Sequence, residues 1–106
     1  MKKIVFAAII AAFALPAAAD YTVKGSVECP DIVKENSHEH YSEYNKWWLL
    51  GYFTARNYLA DQSGSYGQVG KGVDSDDIYS RALSYCRDNP GNDWDDAAIN
   101  TYNYYK

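Results

Sequence analysis

Residues 82–98 read ALSYCRDNPGNDWDDAA, and this stretch decides the fold. Ala82, Tyr85 and Cys86 close an apolar-periodic run, and Asn89-Pro90-Gly91 interrupts it. Proline drives the residue before it away from helical geometry, so a helix ends here. Asn92 or Asp93 then caps a new helix, and Asp93, Asp95 and Asp96 stand at its start, where free N–H groups and the positive end of its dipole explain them. The stretch is a helix–turn–helix junction with a cysteine just before the break. That cysteine has three chemical readings: a nucleophile, a metal ligand or half of a disulfide.

Working outward, Asp74-Ser75-Asp76-Asp77 opens the helix that Cys86 closes. Ile78, Ala82, Tyr85 and Cys86 share one face of it, with Tyr79 and Leu83 alongside. After the break, Trp94, Ala97, Ala98, Thr101 and Tyr105 fall on one side of a further helix. The longest helix is expected at about 41–61, where Tyr44, Trp47, Trp48, Gly51, Tyr52, Ala55, Tyr58 and Leu59 follow three- and four-residue steps in one stripe. Leu49, Leu50 and Phe53 widen that stripe, which predicts a helix buried on most sides. Gly51 and Ala55, four apart, either admit a second helix closely or relieve crowding among the aromatics. Residues 62–73, QSGSYGQVGKGV, hold four glycines and read as a flexible connector. The phosphate-loop spacing fails there, because position 65 is Ser and position 72 is Gly. Cys29-Pro30-Asp31-Ile32-Val33 reads as a turn entering a short helix, and Tyr21-Thr22-Val23 as extended. Strand signals are thin, so the expected fold is all-α, a small domain of three to four helices.

The front of the chain sets the compartment. Lys2 and Lys3, an apolar run from Ile4 to Leu15, and Pro16-Ala17-Ala18-Ala19 make the three parts of a secretory signal peptide over 1–19, cleaved before Asp20. The apolar run is too short to span a bilayer about 30 Å thick. The domain proper is then 20–106, one domain without a membrane segment, in a bacterial periplasm. Of the 106 residues, 14 are acidic and 10 basic, two of the latter being Lys2 and Lys3. An acidic exported domain repels phosphate backbones, which argues against nucleic acid as a partner. Eleven tyrosines and three tryptophans serve either a small core or a binding surface.

The two cysteines, Cys29 and Cys86, are the whole cysteine content. An even count in an oxidising compartment reads as a disulfide, and two cysteines allow one pairing. A loop of that length contributes roughly 4 kcal/mol through the unfolded chain. The competing readings are weaker. A nucleophilic Cys86 needs a base, and only His38 and His40 are available. Thiol redox chemistry favours a close C-x-x-C, which is missing. His38-Glu39-His40, with Glu35 and Glu43 nearby, offers no third strong metal ligand. The histidines read instead as surface groups able to respond to mild acidity. Asp74, Asp76, Asp77, Asp93, Asp95 and Asp96 sit at helix starts, where capping explains them without catalysis. No active site assembles, and the reading is a non-enzymatic protein-binding domain that needs no metal or cofactor. Trp47, Trp48, Tyr52 and Trp94 are the candidate interaction surface; the partner is another protein or a second copy of the chain.

Taken together, Cys-x-Asp-Ile-Val (29–33), Trp-Leu-Leu-Gly-Tyr (48–52), Tyr-Cys-Arg-Asp-Asn-Pro (85–90) and Asp-Ala-Ala (96–98) resemble the small periplasmic one-disulfide helical proteins of the HdeA/HdeB type. That resemblance implies an acid-activated chaperone with a disulfide from an early cysteine to a later helix. The same outline is similar to the Rap/Tai immunity proteins, which implies neutralisation of a cell-wall-degrading effector of type VI secretion. Neither group brings catalytic residues, so only Cys29 and Cys86 carry over.

Overall fold

The computed structural model describes residues 24–106. The signal segment expected at 1–19 and the extended reading of Tyr21-Thr22-Val23 lie outside the described residues. After a 3-10 turn at Lys24–Ser26, four helices follow: α1 (Cys29–Glu35), α2 (Glu39–Gln62), α3 (Ser75–Asp88) and α4 (Trp94–Tyr105). The fold is all-α, and among the described residues the only β pairing is an isolated bridge between Glu28 and Asp93.

Local chemistry sets each boundary. Asp74 caps α3 by accepting from the Asp76 N–H at 2.7 Å. At α4, Asp93 accepts from the Asp96 N–H at 3.0 Å while the Asp96 carboxylate accepts from the Asp93 N–H at 3.2 Å. This reciprocal capping box satisfies two donors that a helix start otherwise leaves free. The α3–α4 turn is held by Tyr85: its carbonyl accepts from Asn89 Nδ2 at 2.9 Å and its hydroxyl from Asn92 Nδ2 at 2.6 Å. In α1, Pro30 stands in the first turn, where its missing N–H costs nothing.

Cys29 and Cys86 are joined in a disulfide, their Cα atoms 4.8 Å apart. Beside it, the Cys29 N–H donates to the Asn92 carbonyl and the Trp94 N–H to the Val27 carbonyl, both at 2.9 Å. The start of α1 is thus stitched to the α3–α4 turn both covalently and through the backbone. The core lies between α3, α4 and the inner face of α2. Cys29, Ile32, Leu49, Cys86, Trp94 and Ala98 are among its fully enclosed residues.

Two expectations are corrected here. The glycine-rich connector is not a free linker. Asn57 of α2 clamps it: Asn57 Nδ2 donates to the Val69 carbonyl at 2.9 Å, and Asn57 Oδ1 accepts from the Val69 N–H at 3.0 Å. Val69 is consequently buried. Glycine permits the approach: a Cβ on Gly67 would lie 2.5 Å from the Asn57 carbonyl oxygen, and Gly70 adopts a φ of 86° against the Phe53 ring.

The second correction concerns α2. Its buried residues are Asn45, Leu49 and Phe53, with Trp48, Tyr52, Arg56 and Asn57 half-buried beside them. Tyr44, Trp47, Gly51, Ala55, Tyr58 and Leu59 face away from the protein. The expected single stripe is therefore split, and the helix is covered on one side only. Polar residues take inner positions with part of their heads engaged. Asn45 Nδ2 donates to Glu35 at 3.0 Å while its buried Oδ1 has no hydrogen-bond partner, the backbone carbonyl of Asn45 accepts from Trp94 Nε1 at 3.2 Å, and Arg56 lies over the Tyr102 ring at 4.2 Å.

Candidate interaction surface

Among the described residues, the outer side of α2 gathers several of the exposed large apolar side chains. Tyr44 is 63%, Trp47 61%, Tyr58 62% and Leu59 64% exposed. Gly51 lies at the middle of this side, and a Cβ built there meets no atom within 4 Å. Of the two roles open to Gly51, relief of crowding within the chain is therefore absent; the space above it is open. Large apolar groups gathered on one exposed face mark an interaction site, whereas scattered ones need no explanation.

The cations of α2 are engaged by neighbours. The Lys46 ammonium lies 5.7 Å from the Trp47 ring centroid and is bound to Glu43 at 3.2 Å and to Asp76 of α3 at 3.1 Å. The hydrogen bonds from Asp76 and then Glu43 hold its ammonium above the ordinary lysine range. Arg56 turns inward, its Nη1 donating to the Tyr52 hydroxyl at 2.8 Å. Between Glu43 and Asp61 the outer side of α2 presents aromatic rings, a glycine, an alanine and a threonine, with no free charge.

The four residues expected to form the surface have different fates. Trp47 belongs to it. Trp48 and Tyr52 stack on each other, ring centroids 5.8 Å apart, at the edge where α2 meets the rest of the domain. Trp48 also covers Gly25, whose Cβ would lie 2.9 Å from its ring. Trp94 is not on the surface at all: it is fully buried, with its indole N–H on the Asn45 carbonyl and its ring against Tyr79. Trp94 opens α4 directly beneath α2, so its large ring fills the centre of the core. Tyr44, Tyr58 and Leu59 are the outer residues missing from the expected surface. The signal of Tyr44 and Tyr58 was present in the steps 44, 47, 51, 55 and 58, which trace the outer face.

His38 and His40 are exposed at the start of α2, His38 with its ring 5.4 Å from Tyr41. Among the described residues no group of three His, Cys, Asp or Glu side chains is placed to hold a metal ion, and no helix is long and apolar enough to cross a membrane. Both cysteines are consumed by the disulfide, which removes Cys86 as a nucleophile or ligand. Asp74, Asp93 and Asp96 act as caps, as their positions implied.

Asp95 differs from the caps in its titration. Burial, and then the neighbouring charges of Asp93 and Asp96, push its carboxyl above the ordinary aspartate range. Comparison of the chain with protein-family models, curated proteins and solved structures finds no match. Among the described residues the chain forms a disulfide-locked helical domain whose α2 turns an exposed aromatic face outward.

Proposed function

We propose that the protein is an exported, non-enzymatic protein-binding domain of the periplasm, and that it works as an acid-stress chaperone. The single observation that carries the binding role is the outer face of α2, where Tyr44, Trp47 and Tyr58 stand exposed. Tyrosine and tryptophan supply large contact areas at low conformational cost, which suits protein recognition.

The acid role is supported by which groups tie the helices together. Glu35 links Lys24 at 3.1 Å and Asn45 at 3.0 Å, and Asp76 links α3 to Lys46 of α2. Asp74 and the Asp93–Asp96 box start the last two helices. All are carboxylates, and protonation removes the charge that each tie uses. Every exposed pair contributes little alone, but Glu35 ties α1 to the 3-10 turn and to α2, and Asp76 ties α3 to α2, so losing these together loosens α2 from its neighbours. The inner rings Trp48, Tyr52 and Phe53 then join the outer ones, while the disulfide holds α1 to α3. Purified oxidised protein should keep an aggregation-prone client soluble at about pH 2–3, below the carboxylate range, and not at neutral pH. Equal protection at both, or none at either, overturns the acid role.

A second reading is a fixed interaction module, such as an immunity protein or an inhibitor of a secreted cell-wall-degrading effector. What favours it is that the α2 face is already open in the folded state. Pull-down from a native periplasmic extract at neutral pH separates the two: one stoichiometric protein supports the fixed module, and a spread of clients recovered only in acid supports the chaperone.

A further inference from the structure

The last turns of α2, the chain that follows them and the end of α4 border an open hollow of about 320 Å³. Arg56 and Lys106 bring two cations to it. Leu59, Tyr66 and Tyr102 give it an apolar wall, and the Ser65 hydroxyl adds a donor. No acidic side chain is among its lining residues.

Arg56 is fixed in place before any ligand arrives. Its guanidinium lies 4.2 Å from the Tyr102 ring centroid and 5.7 Å from that of Tyr52, and its Nη1 donates to the Tyr52 hydroxyl at 2.8 Å. The Tyr102 ring is itself held: its hydroxyl donates to Asn57 Oδ1 at 2.8 Å, and its centroid lies 5.1 Å from that of Phe53. Arg56 is half-buried, yet among the described residues no carboxylate lies within ion-pair distance of it or of Lys106. A partly desolvated cation without a counter-charge gains when an anion arrives. The planar guanidinium, with donors left over, matches the two oxygens of a carboxylate. Holding it rigid in advance lowers the entropy lost on binding.

We infer that this hollow binds an organic monocarboxylate, its charged end on Arg56 and Lys106 and its apolar body against Leu59 and Tyr66. The volume stands at the lower end of small-molecule sites, which suits an acid the size of one amino acid. Multiply charged anions are disfavoured by the acidic balance of the chain as a whole. The site shares Leu59 with the outer side of α2 but does not depend on the chaperone role.

The test is a heteronuclear NMR titration of the purified oxidised protein with N-acetyl-leucine, which carries one carboxylate and one branched apolar group. Saturable shifts are expected at the Arg56 side-chain N–H and at the amides of Leu59, Ser65 and Tyr66, with a dissociation constant of about 1 mM. N-acetyl-leucinamide lacks the charge and acetate lacks the apolar body, so each should bind at least about tenfold more weakly. Arg56→Lys keeps the charge and loses the planar fork, and should weaken binding about tenfold. Lys106→Met, at an exposed position, should weaken it about threefold with the melting temperature unchanged. Hexanoate separates two sources of the same chemistry: binding as tight as that of N-acetyl-leucine assigns the site to free aliphatic acids, and weaker binding to peptide carboxyl ends. Equal shifts from the acid and its amide, phosphate binding as tightly as N-acetyl-leucine, or an affinity indifferent to both substitutions overturns the site. So does the absence of saturable shifts with either organic acid at about 10 mM.

Discussion

Asn57 does more than its place in an aromatic helix would suggest. Its side-chain oxygen accepts from both the Val69 N–H and the Tyr102 hydroxyl, at 3.0 and 2.8 Å, while its nitrogen donates to the Val69 carbonyl. Asn57→Ala breaks three hydrogen bonds at once and should cost on the order of 2–3 kcal/mol in denaturant unfolding, at roughly 1 kcal/mol each. The Val69 amide should exchange with solvent sooner; unchanged stability and exchange would mean that the clamp is incidental. Asp95 predicts the opposite sign. Its folded carboxyl is raised by burial and by Asp93 and Asp96, so the folded state binds a proton more readily than the unfolded chain. Such a group favours folding at low pH, and that contribution is lost as pH rises through the raised value. Asp95→Asn should therefore raise the melting temperature at pH 7 and leave it unchanged well below the carboxylate range. A rise of equal size at both would show that the charge is not the cause.

At the scale of elements, the junction at 82–98 was legible because each device in it is local. Proline ends a helix, an aspartate starts one, and the two cysteines could pair in only one way. The orientation of α2 was not legible, because aromatic residues stand on both of its sides, Trp48, Tyr52 and Phe53 toward the protein and Tyr44, Trp47 and Tyr58 away from it. The side chains of Asn45 and Asn57 mark the inner face only through bonds to Glu35, Val69 and Tyr102, and Arg56 only through the Tyr102 ring, all distant in sequence. Periodicity of hydrophobic residues cannot register a core that recruits polar heads. The connector was misread for a related reason. Its glycines serve close approach as well as freedom, and composition alone does not tell these apart. Gly67→Ala decides the matter for that segment: its methyl would press on the Asn57 carbonyl and the Asp61 backbone nitrogen. Thermal unfolding should show a loss of about 1–3 kcal/mol, the usual cost of forcing atoms into a packed site. A neutral result would show a connector loose enough to move aside.

Over the whole molecule, stability is concentrated where the disulfide meets the α3–α4 turn, and exposure where α2 turns outward. Replacing both cysteines by serine removes a cross-link between residues 57 apart in sequence and should cost about 4 kcal/mol, a large share of what so small a domain commands. Chemical denaturation of the double variant checks this, and an unshifted midpoint would show that packing alone holds the domain together. The binding role makes the sharpest demand. Trp47 and Tyr58 touch solvent more than protein, so Trp47→Ala with Tyr58→Ala should leave the far-ultraviolet circular dichroism unchanged. The most direct measurement is the binding of this double variant, set beside that of the wild type, to the client kept soluble in acid or to the protein recovered by pull-down. The account predicts binding lost with the fold intact; full binding by the variant would contradict it.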